Sequence, residues 1–256
     1  MQRYGLGKDQ WERIKSLLPG SKGQVGRPAA DNRLFVEAVL YRYRVGLPWR
    51  ELPKGYGDWK NVHRRFSRWS RSGVWERVFQ HLSAEADNKY AMIDSTIVRA
   101  HQHSAGARKK RRGEERSDEA IGRSKGGLST KIHAVVDGLG KPIGFHLTQG
   151  QVHDLVGADV LLGGIQAGII IADKAYDADE RVIAPLEQGA KRVVIPPKSN
   201  RKSLRTFDRY LYKARHLIEN FFCRLKQFRA IATRYDKTAR HFLAAIHLTA
   251  TVIWLI

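Results

Sequence analysis

The sequence changes character near Lys89, and this change constrains the possible fold more than any other feature. Before it, apolar residues recur at helical spacing, with breakers such as Pro19-Gly20 and Gly46 between segments. After it, apolar residues form short β-branched runs separated by turn-forming residues. We therefore predict two parts, a helical domain at residues 1–88 and a mixed α/β domain at residues 89–256.

The helical part has a pattern typical of a helix-turn-helix. Helices separated by breaking residues are predicted at residues 34–45 and 59–72. Asp58 is the expected N-cap of the second helix. One face of that helix is apolar, and Lys60, Arg64 and Arg68 line another. This basic face suits DNA, although an ordinary solvated helix surface has the same pattern.

The charge of the whole chain favours DNA. Lys and Arg number 46 against 25 Asp and Glu, a net charge of +21. Such an excess is compensated well by nucleic acid, because each neutralised phosphate releases counterions. The alternative is a basic protein at a membrane surface. However, we expect no signal peptide, because no N-terminal segment combines a basic start with an apolar run. The apolar stretch at residues 242–256 is shorter than the roughly 20 residues of a membrane helix. We expect a buried core helix there, and a cytoplasmic, nucleoid-associated protein.

The second part predicts a mixed sheet with an antiparallel start. Strands are predicted at residues 90–98, 128–136, 142–148, 168–172 and 192–195, and helices at residues 154–165 and 177–188. The run from Asp137 to Gly140 is a hairpin signal. Residues 99–125 are rich in charge and glycine, with five consecutive basic residues at 108–112. They are predicted to be a flexible insertion between the first two strands, able to touch the DNA backbone.

Three acidic residues stand out by their placement. Asp94 interrupts an apolar strand, where an unpaired carboxylate is costly. Asp173 follows an apolar run, at the carboxyl end of a strand where open α/β sheets place their sites. Glu219 lies on an otherwise basic helix. Each also has an ordinary explanation, because either aspartate could cap a turn and Glu219 could pair with a neighbouring arginine.

The helix around Glu219 favours a site. At about 100° per residue, four polar side chains share an arc of about 60°, and these are Tyr212, Arg215, Glu219 and Lys226. The opposite face of the helix is apolar and suits a core. Two-metal phosphoryl transfer needs clustered carboxylates to hold the ions and cations to hold the nucleic acid. This helix supplies both.

The same residues carry a resemblance to a known family. The pattern Tyr212-x2-Arg215-x3-Glu219-x6-Lys226 resembles the signature around the last acid of bacterial insertion-sequence DDE transposases, of the insertion sequence four and five groups. Further similar segments span nearly the whole chain, namely LPWRELP at residues 47–53, MIDST at 92–96, ADKAYD at 172–177, ENFFCRLK at 219–226 and RYDK at 234–237. The stretch after Pro197 is too short for the large β-rich insertion of some relatives.

The resemblance implies a fold and a mechanism. The expected fold class is α/β, with a ribonuclease H-like mixed-sheet catalytic core preceded by an all-α, helix-turn-helix-like DNA-binding domain. Asp94, Asp173 and Glu219 would hold two Mg²⁺ ions about 3.5–4 Å apart, with Mn²⁺ as a possible substitute. Water would cut a DNA strand at the terminal inverted repeat, and the freed 3′-hydroxyl would attack target DNA.

The expected partner is double-stranded DNA, bound by a homodimer. Contacts are expected in two places, from Lys60, Arg64 and Arg68 on the N-terminal helix and from Tyr212, Arg215 and Lys226 beside the acids. Two alternatives stay open. One is a catalytically inactive DNA-binding regulator derived from a transposase, against which the three intact acids argue. The other is a ribonuclease H-like nuclease that only hydrolyses DNA.

Four further residues have ordinary interpretations. Asp154 is expected to cap the helix that it begins. Lys131 and His133 alternate on a strand, so both could face one side near the site, and a satisfied histidine is the favoured interpretation. Cys223 lies on the same helical face as Glu219 and is expected to be a small packing residue. As the single cysteine, it excludes an intrachain disulfide.

Overall fold

The chain folds into a mixed β-sheet with helices on both faces, in a computed structural model that describes residues 5–20, 31–105, 119–201 and 205–256. The five consecutive basic residues at 108–112, in the predicted flexible insertion, lie outside the described residues.

The first part of the chain is helical, as predicted. Its helices are α1 (Lys8–Lys15), α2 (Asn32–Val45), α3 (Trp59–Arg71) and α4 (Val74–Ser83), with 3-10 turns at Trp49–Glu51 and Lys54–Tyr56. Asp58 caps α3, because its carboxylate accepts a hydrogen bond of 2.7 Å from the Lys60 backbone N–H. The apolar face of α3 is buried and its basic face is open to solvent.

The described residues contain a seven-stranded sheet. Its strands are β1 (Ala91–Ala100), β2 (Gly122–Ser124), β3 (Gly127–Val136), β4 (Pro142–Gln149), β5 (Ile169–Ala172), β6 (Arg192–Val194) and β7 (Thr233–Arg234). Strand β3 pairs antiparallel with β1 and β4, whereas β5 pairs parallel with β1 and β6. This is the mixed sheet with an antiparallel start that the sequence predicts.

The insertion predicted at residues 99–125 is not wholly irregular. Strand β1 continues through Ala100 and also pairs with β7, and β2 forms a hairpin with β3. Both predicted bounds of the insertion, residues 99 and 125, are therefore wrong, because β1 and β2 extend into it. Backbone pairing with neighbouring strands orders these ends despite their polar composition.

The turn between β3 and β4 is the predicted hairpin. The carboxylate of Asp137 accepts hydrogen bonds from the backbone N–H groups of Leu139 at 3.0 Å and Lys141 at 2.8 Å. Gly140 has a positive φ of 76°, and the Cβ of Leu217 lies 3.2 Å from where a Gly140 Cβ would stand. Both the backbone angle and the close approach favour glycine there.

Helices cover both faces of the sheet. On one face lie α5 (Leu155–Leu161) and α6 (Ala184–Gln188), and the other face carries α8 (His216–Lys226), α9 (Arg229–Ala232) and α10 (Ala239–Trp254). The short helix α7 (Arg209–Tyr212) leads to α8 through a 3-10 turn at Lys213–Arg215. The single continuous helix assumed from Tyr212 onward is therefore interrupted, although its apolar face still packs against β1 and β3.

The N-terminal helices share a hydrophobic core with the second part of the chain. One cluster contains buried residues of α2, α3 and α4 together with residues of α8, α9 and α10. The longest of these, α10, is buried along most of its length, as predicted. The functional division at residue 88 stays a prediction. In the described ranges, no helix is both long and apolar enough to cross a membrane.

His247 on α10 predicts how stability depends on pH. Its ring stacks on Phe79 with centroids 5.2 Å apart, and burial lowers the pKa of His247 from 6.5 to about 4. The unfolded chain therefore takes up a proton near pH 6.5, whereas the folded chain does so only near pH 4. Neutral His247 therefore makes its full contribution to the free energy of unfolding above pH 6.5, the pKa of the unfolded state. This contribution is lost as the pH falls towards about 4, the pKa of the folded state.

We expect this group to lower the free energy of unfolding by about 2 kcal/mol between pH 7.5 and pH 5. His247→Phe should remove that part of the loss, as measured by urea unfolding at both pH values. His81→Gln is a matched control, because His81 is exposed. An identical pH dependence in His247→Phe and the unmodified protein would contradict the prediction.

Candidate active site

Asp94 and Asp173 lie side by side on neighbouring strands. In the parallel pairing of β1 and β5, Ile93 is opposite Ala172, and each acid is the next residue along the chain. Asp94 Oδ1 accepts a 2.7 Å hydrogen bond from the Ser95 N–H, and Asp173 Oδ1 accepts one of 2.8 Å from Ala175. The sheet therefore brings together two acids that are distant in sequence, at the end of β5.

The carboxyl of Asp94 is in surroundings that favour a nearby cation. Burial raises the pKa of Asp94 from 3.8 to about 6. The Ser95 N–H and Arg215 oppose this rise in pKa, whereas the charges of Asp173 and Asp154 add to it. Additional positive charge beside Asp94 would stabilise its ionised form.

Arg215 joins Asp94 to Glu219. Its Nη1 donates to Asp94 Oδ2 at 2.9 Å, and its Nη2 donates to Glu219 Oε1. Tyr212 lies near Arg215, and burial is the main cause that raises the pKa of this phenol. One guanidinium thus lies between an acid on β1 and an acid on α8.

Lys226 lies farther along α8, on the same side of the sheet as Asp94. Its Nζ donates a hydrogen bond of 2.6 Å to Thr96 Oγ1. Thr96 is two residues beyond Asp94 on β1, so both side chains point to the same face. Thr96 is a contact that the sequence analysis did not identify, although its alternation with Asp94 could have indicated it.

The donor set at these positions suits a divalent metal ion. Carboxylate oxygens are the protein ligands that Mg²⁺ prefers. In the part of the chain that the structure describes, no three His, Cys, Asp or Glu side chains form a group able to hold an ion. The guanidinium of Arg215 stands between Asp94 and Glu219. An ion bound to both Asp94 Oδ2 and Glu219 Oε1 would compete with this guanidinium for the same oxygens.

Asp154 does not cap α5, so that prediction is wrong. Its backbone is helical, and its carboxylate accepts no hydrogen bond from the start of α5. Instead, Asp154 Oδ1 accepts from Ser95 Oγ at 2.6 Å and from Lys131 Nζ at 2.8 Å. The Lys131 side chain is only 10% exposed. Leaving its buried ammonium without a nearby anion would cost more free energy than leaving the start of α5 without a side-chain cap.

His133 is buried beside this pair and faces the same side as Lys131, as predicted. Its Nε2 is hydrogen-bonded to Thr148 Oγ1 at 2.8 Å, while Nδ1 has no hydrogen-bond partner among the described residues. Burial lowers the pKa of His133 from 6.5 to about 4. A Cβ on Gly157 would lie 2.2 Å from His133 Nδ1, so α5 needs glycine where it crosses this ring.

Cys223 is exposed, and its prediction as a packing residue is wrong. The buried face of α8 is formed by larger apolar side chains, namely Ile218, Phe221, Phe222 and Leu225. Cys223 points away from that face and does not contribute to the core.

A shallow groove on α3 is the second candidate surface. Its lining is formed by aromatic, basic and hydroxyl side chains, namely Trp59, Lys60, His63, Arg64, Ser67, Arg68 and Arg71. It includes all three DNA contacts predicted on this helix. His63 and Ser67 also line the groove and are not among the predicted DNA contacts. Their spacing could have indicated them, because each lies three residues after a predicted DNA-contacting cation and so falls on the same side of the helix. A 3.0 Å hydrogen bond between Ser67 and His241 ties the groove to α10.

Two protein families match this chain. Residues 6–79 match the family described as "Putative transposase of IS4/5 family". Residues 88–255 match the family described as "Transposase DDE domain". Together the two matches include the α3 groove and the elements that carry Asp94, Asp173 and Glu219.

Individual proteins are also similar. Protein y4sN of Sinorhizobium fredii, described as uncharacterised, is 51% identical over 110 residues, which cover 43% of this chain and 87% of that protein. A Brucella ovis protein described as "Putative transposase for insertion sequence element IS6501" is 42% identical over 131 residues, covering 50% of this chain and 99% of that protein. The solved structure of a pre-cleavage Mos1 transpososome overlaps 96% of this chain and 84% of that chain, with 10% identity. Its TM-score of 0.28 is too low to support an argument about the fold.

Proposed function

This chain belongs to the DDE transposases of insertion sequences, and from that premise we propose which DNA it acts on and how. It binds the terminal inverted repeats of its element, cuts the DNA there and joins the freed ends to target DNA. One observation carries the proposal. Asp94 and Asp173 lie side by side, and a single guanidinium links Asp94 to Glu219.

Asp94, Asp173 and Glu219 would hold two Mg²⁺ ions, with Mn²⁺ as a substitute. When bound, such ions stabilise negative charge on a phosphate and favour deprotonation of the attacking hydroxyl. Their binding is supported by the all-carboxylate donor set and by the raised pKa of Asp94. The two-ion arrangement is part of the proposal.

The reaction consists of two phosphoryl transfers at the DNA. In the first, a water oxygen bonds to phosphorus, the bond from phosphorus to the 3′-oxygen breaks, and that oxygen gains a proton. In the second, the freed 3′-hydroxyl loses its proton and bonds to a target phosphorus, while the target 3′-oxygen leaves and gains a proton. Each step forms one bond between oxygen and phosphorus and breaks another, with no covalent link to the protein.

Arg215 changes partners as the site fills. Its guanidinium forms ion pairs with Asp94 and Glu219. It can turn to a DNA phosphate only when other cations compensate these carboxylates. Tyr212 and Lys226, on the same side of the site, would hold the DNA beside the cut.

The α3 groove is the proposed site for recognising the inverted repeat. It places Lys60, Arg64 and Arg68 on one open surface, with the aromatic ring of Trp59 at its end. A recognition helix reads base edges with side chains of this kind. We also propose that the protein acts as a homodimer on DNA, in the nucleoid of a bacterial cell.

The decisive experiment is a strand-transfer assay. The protein is incubated with Mg²⁺ or Mn²⁺, a labelled duplex that carries an end of the element with its flanking DNA, and a target plasmid. The expected products are a nick that leaves a 3′-hydroxyl and a joint between labelled end and plasmid. EDTA should abolish both. Cutting without joining would favour a nuclease that only hydrolyses, and binding without cutting would favour a DNA-binding regulator.

Two sets of substitutions should separate recognition from catalysis. Arg64→Ala or Arg68→Ala removes a side chain of the α3 groove, and each bidentate base contact contributes about 1–3 kcal/mol of discrimination. We therefore expect either substitution to reduce the preference for the inverted repeat over random duplex. Lys226→Ala should leave that preference nearly unchanged and slow cutting and joining, because a phosphate contact is common to all sequences.

Affinities for specific and random duplex, measured at several salt concentrations, would test this separation. Lys15→Ala is the matched control, since it removes one positive charge from α1, outside the groove. Recognition does not reside in α3 if Lys226→Ala removes the preference while both α3 substitutions retain it.

A further inference from the structure

We propose that Asp154 is a positioning residue for Asp94, acting through the hydroxyl of Ser95 from the opposite face of the sheet. This inference rests on the proposed function, because Asp94 is treated as a metal ligand. Asp154 Oδ1 accepts from Ser95 Oγ at 2.6 Å, and Ser95 directly follows Asp94 on β1.

Successive residues of a strand point to opposite faces, so Asp94 and Ser95 are held from two sides. Asp94 contacts Arg215 on the α8 side, whereas Ser95 contacts Asp154 at the start of α5. The Ser95 N–H also donates to Asp94 Oδ1 at 2.7 Å. Fixing the Ser95 side chain therefore fixes the peptide group that orients the Asp94 carboxylate.

Asp154 is itself held in place as an anion. Lys131 Nζ donates to Asp154 Oδ1 at 2.8 Å and to the Val152 carbonyl at 2.6 Å, so it fastens the segment before α5 to β3. Burial raises the pKa of Asp154, but hydrogen bonds from Lys131 and Ser95 outweigh it, and the net shift is downward. The carboxylate is thus an ionised acceptor for the Ser95 hydroxyl.

The remaining contacts support α5 in this position. The His133 ring packs where Gly157 has no side chain, which allows α5 to approach β3 closely. Arg181 pairs with Asp159 on the outer surface of α5, away from Ser95. The Ser95 hydroxyl bond is therefore a specific contact to β1, separate from the general packing of α5.

The test uses Ser95→Ala, Ser95→Thr, Asp154→Ala and the double variant Ser95→Ala/Asp154→Ala. Ser95→Ala keeps the pair between Asp154 and Lys131, so it remains informative if Asp154→Ala folds poorly. Ser95→Thr keeps the hydroxyl on a residue that suits a strand. Asp159→Asn is the control, because it removes a negative charge from the exposed side of α5.

Two quantities are measured for each variant. One is the Mn²⁺ affinity, by electron paramagnetic resonance, of the protein bound to a pre-cut inverted-repeat duplex, corrected for Mn²⁺ held by free duplex. The other is the rate of strand cutting on an uncut end. Hydrogen bonds that orient metal ligands typically contribute about 10–100-fold in metal affinity or activity. We expect losses of that size in both quantities for Ser95→Ala and Asp154→Ala, and near-normal values for Ser95→Thr.

The double variant should lose no more Mn²⁺ affinity or cutting rate than the more affected single variant. The reason is that both substitutions break the same contact, the hydrogen bond between Ser95 and Asp154. Unaltered Mn²⁺ affinity and cutting in Ser95→Ala would overturn the inference, as would losses that multiply in the double variant. A change in melting temperature alone, with both quantities unchanged, would also overturn it. If the unmodified protein neither binds Mn²⁺ in this complex nor cuts DNA, the proposed function fails and this inference fails with it.

Discussion

Asp173→Asn should lower the rate of strand cutting by at least about 10³-fold, because a metal site of this kind supplies several kcal/mol of transition-state stabilisation. Asparagine keeps the size of the side chain and can still accept the Ala175 N–H, so the turn after β5 should persist. The loss then reports the carboxylate charge rather than the fold. Asp94→Ala and Glu219→Ala should have effects of similar size.

Affinity for end DNA should change little in all three variants, since the proposed DNA-binding surfaces are the basic ones. Cutting is followed on a labelled end duplex, and binding by titration in the presence of Ca²⁺. Asp159→Asn removes the same charge at the surface of α5 and should cut normally. A variant that retains near-normal cutting would exclude its residue from the metal site.

Asp236→Ala should destabilise the protein by about 3–5 kcal/mol, because it leaves a buried arginine without its anion. Asp236 is buried, accepts a 3.0 Å hydrogen bond from the Tyr43 hydroxyl and lies 3.7 Å from Arg42 Nη1. Arg42 is 4% exposed, and its guanidinium packs over the rings of Tyr43 and Trp49. Little solvent is available to replace the lost carboxylate.

Tyr43→Phe is the matched variant for this prediction. It removes the hydroxyl but retains the pair between Arg42 and Asp236, so its cost should be near 1.5–3 kcal/mol, as for a hydrogen bond to a charged group. Urea unfolding measures both variants. Equal stability of Asp236→Ala and the unmodified protein would show that Arg42 is not compensated by Asp236.

The buried cluster of Arg42, Tyr43 and Asp236 also bears on whether the two predicted domains unfold together. Arg42 and Tyr43 belong to α2, whereas Asp236 precedes α10, so the buried contact joins the helical part to the part that matches the transposase DDE domain. Together with the shared core, it predicts that both parts unfold in one transition. A functional division near residue 88 is compatible with such joint folding.

Sequence spacing determined much of the local structure and the choice of candidate residues. The cap at Asp58, the hairpin at Asp137 and the buried faces of α8 and α10 follow from patterns within a few residues. Such patterns act locally, because a helix or strand presents the same face wherever it packs. The placement of Asp173 after an apolar run likewise marked the end of β5.

Contacts between distant segments were decided only by the tertiary structure. The register that places Ile93 opposite Ala172 depends on how β1 and β5 pair, and no local pattern specifies it. Asp154 has the sequence position of a helix cap, yet the buried ammonium of Lys131 and the hydroxyl of Ser95 draw its carboxylate to the sheet. The sequence predicts Arg215 as a DNA contact, whereas in the fold its guanidinium pairs with the carboxylates of Asp94 and Glu219. In each case the energy of a polar side chain depends on which charges and donors packing brings near it, and that information is not local in the sequence.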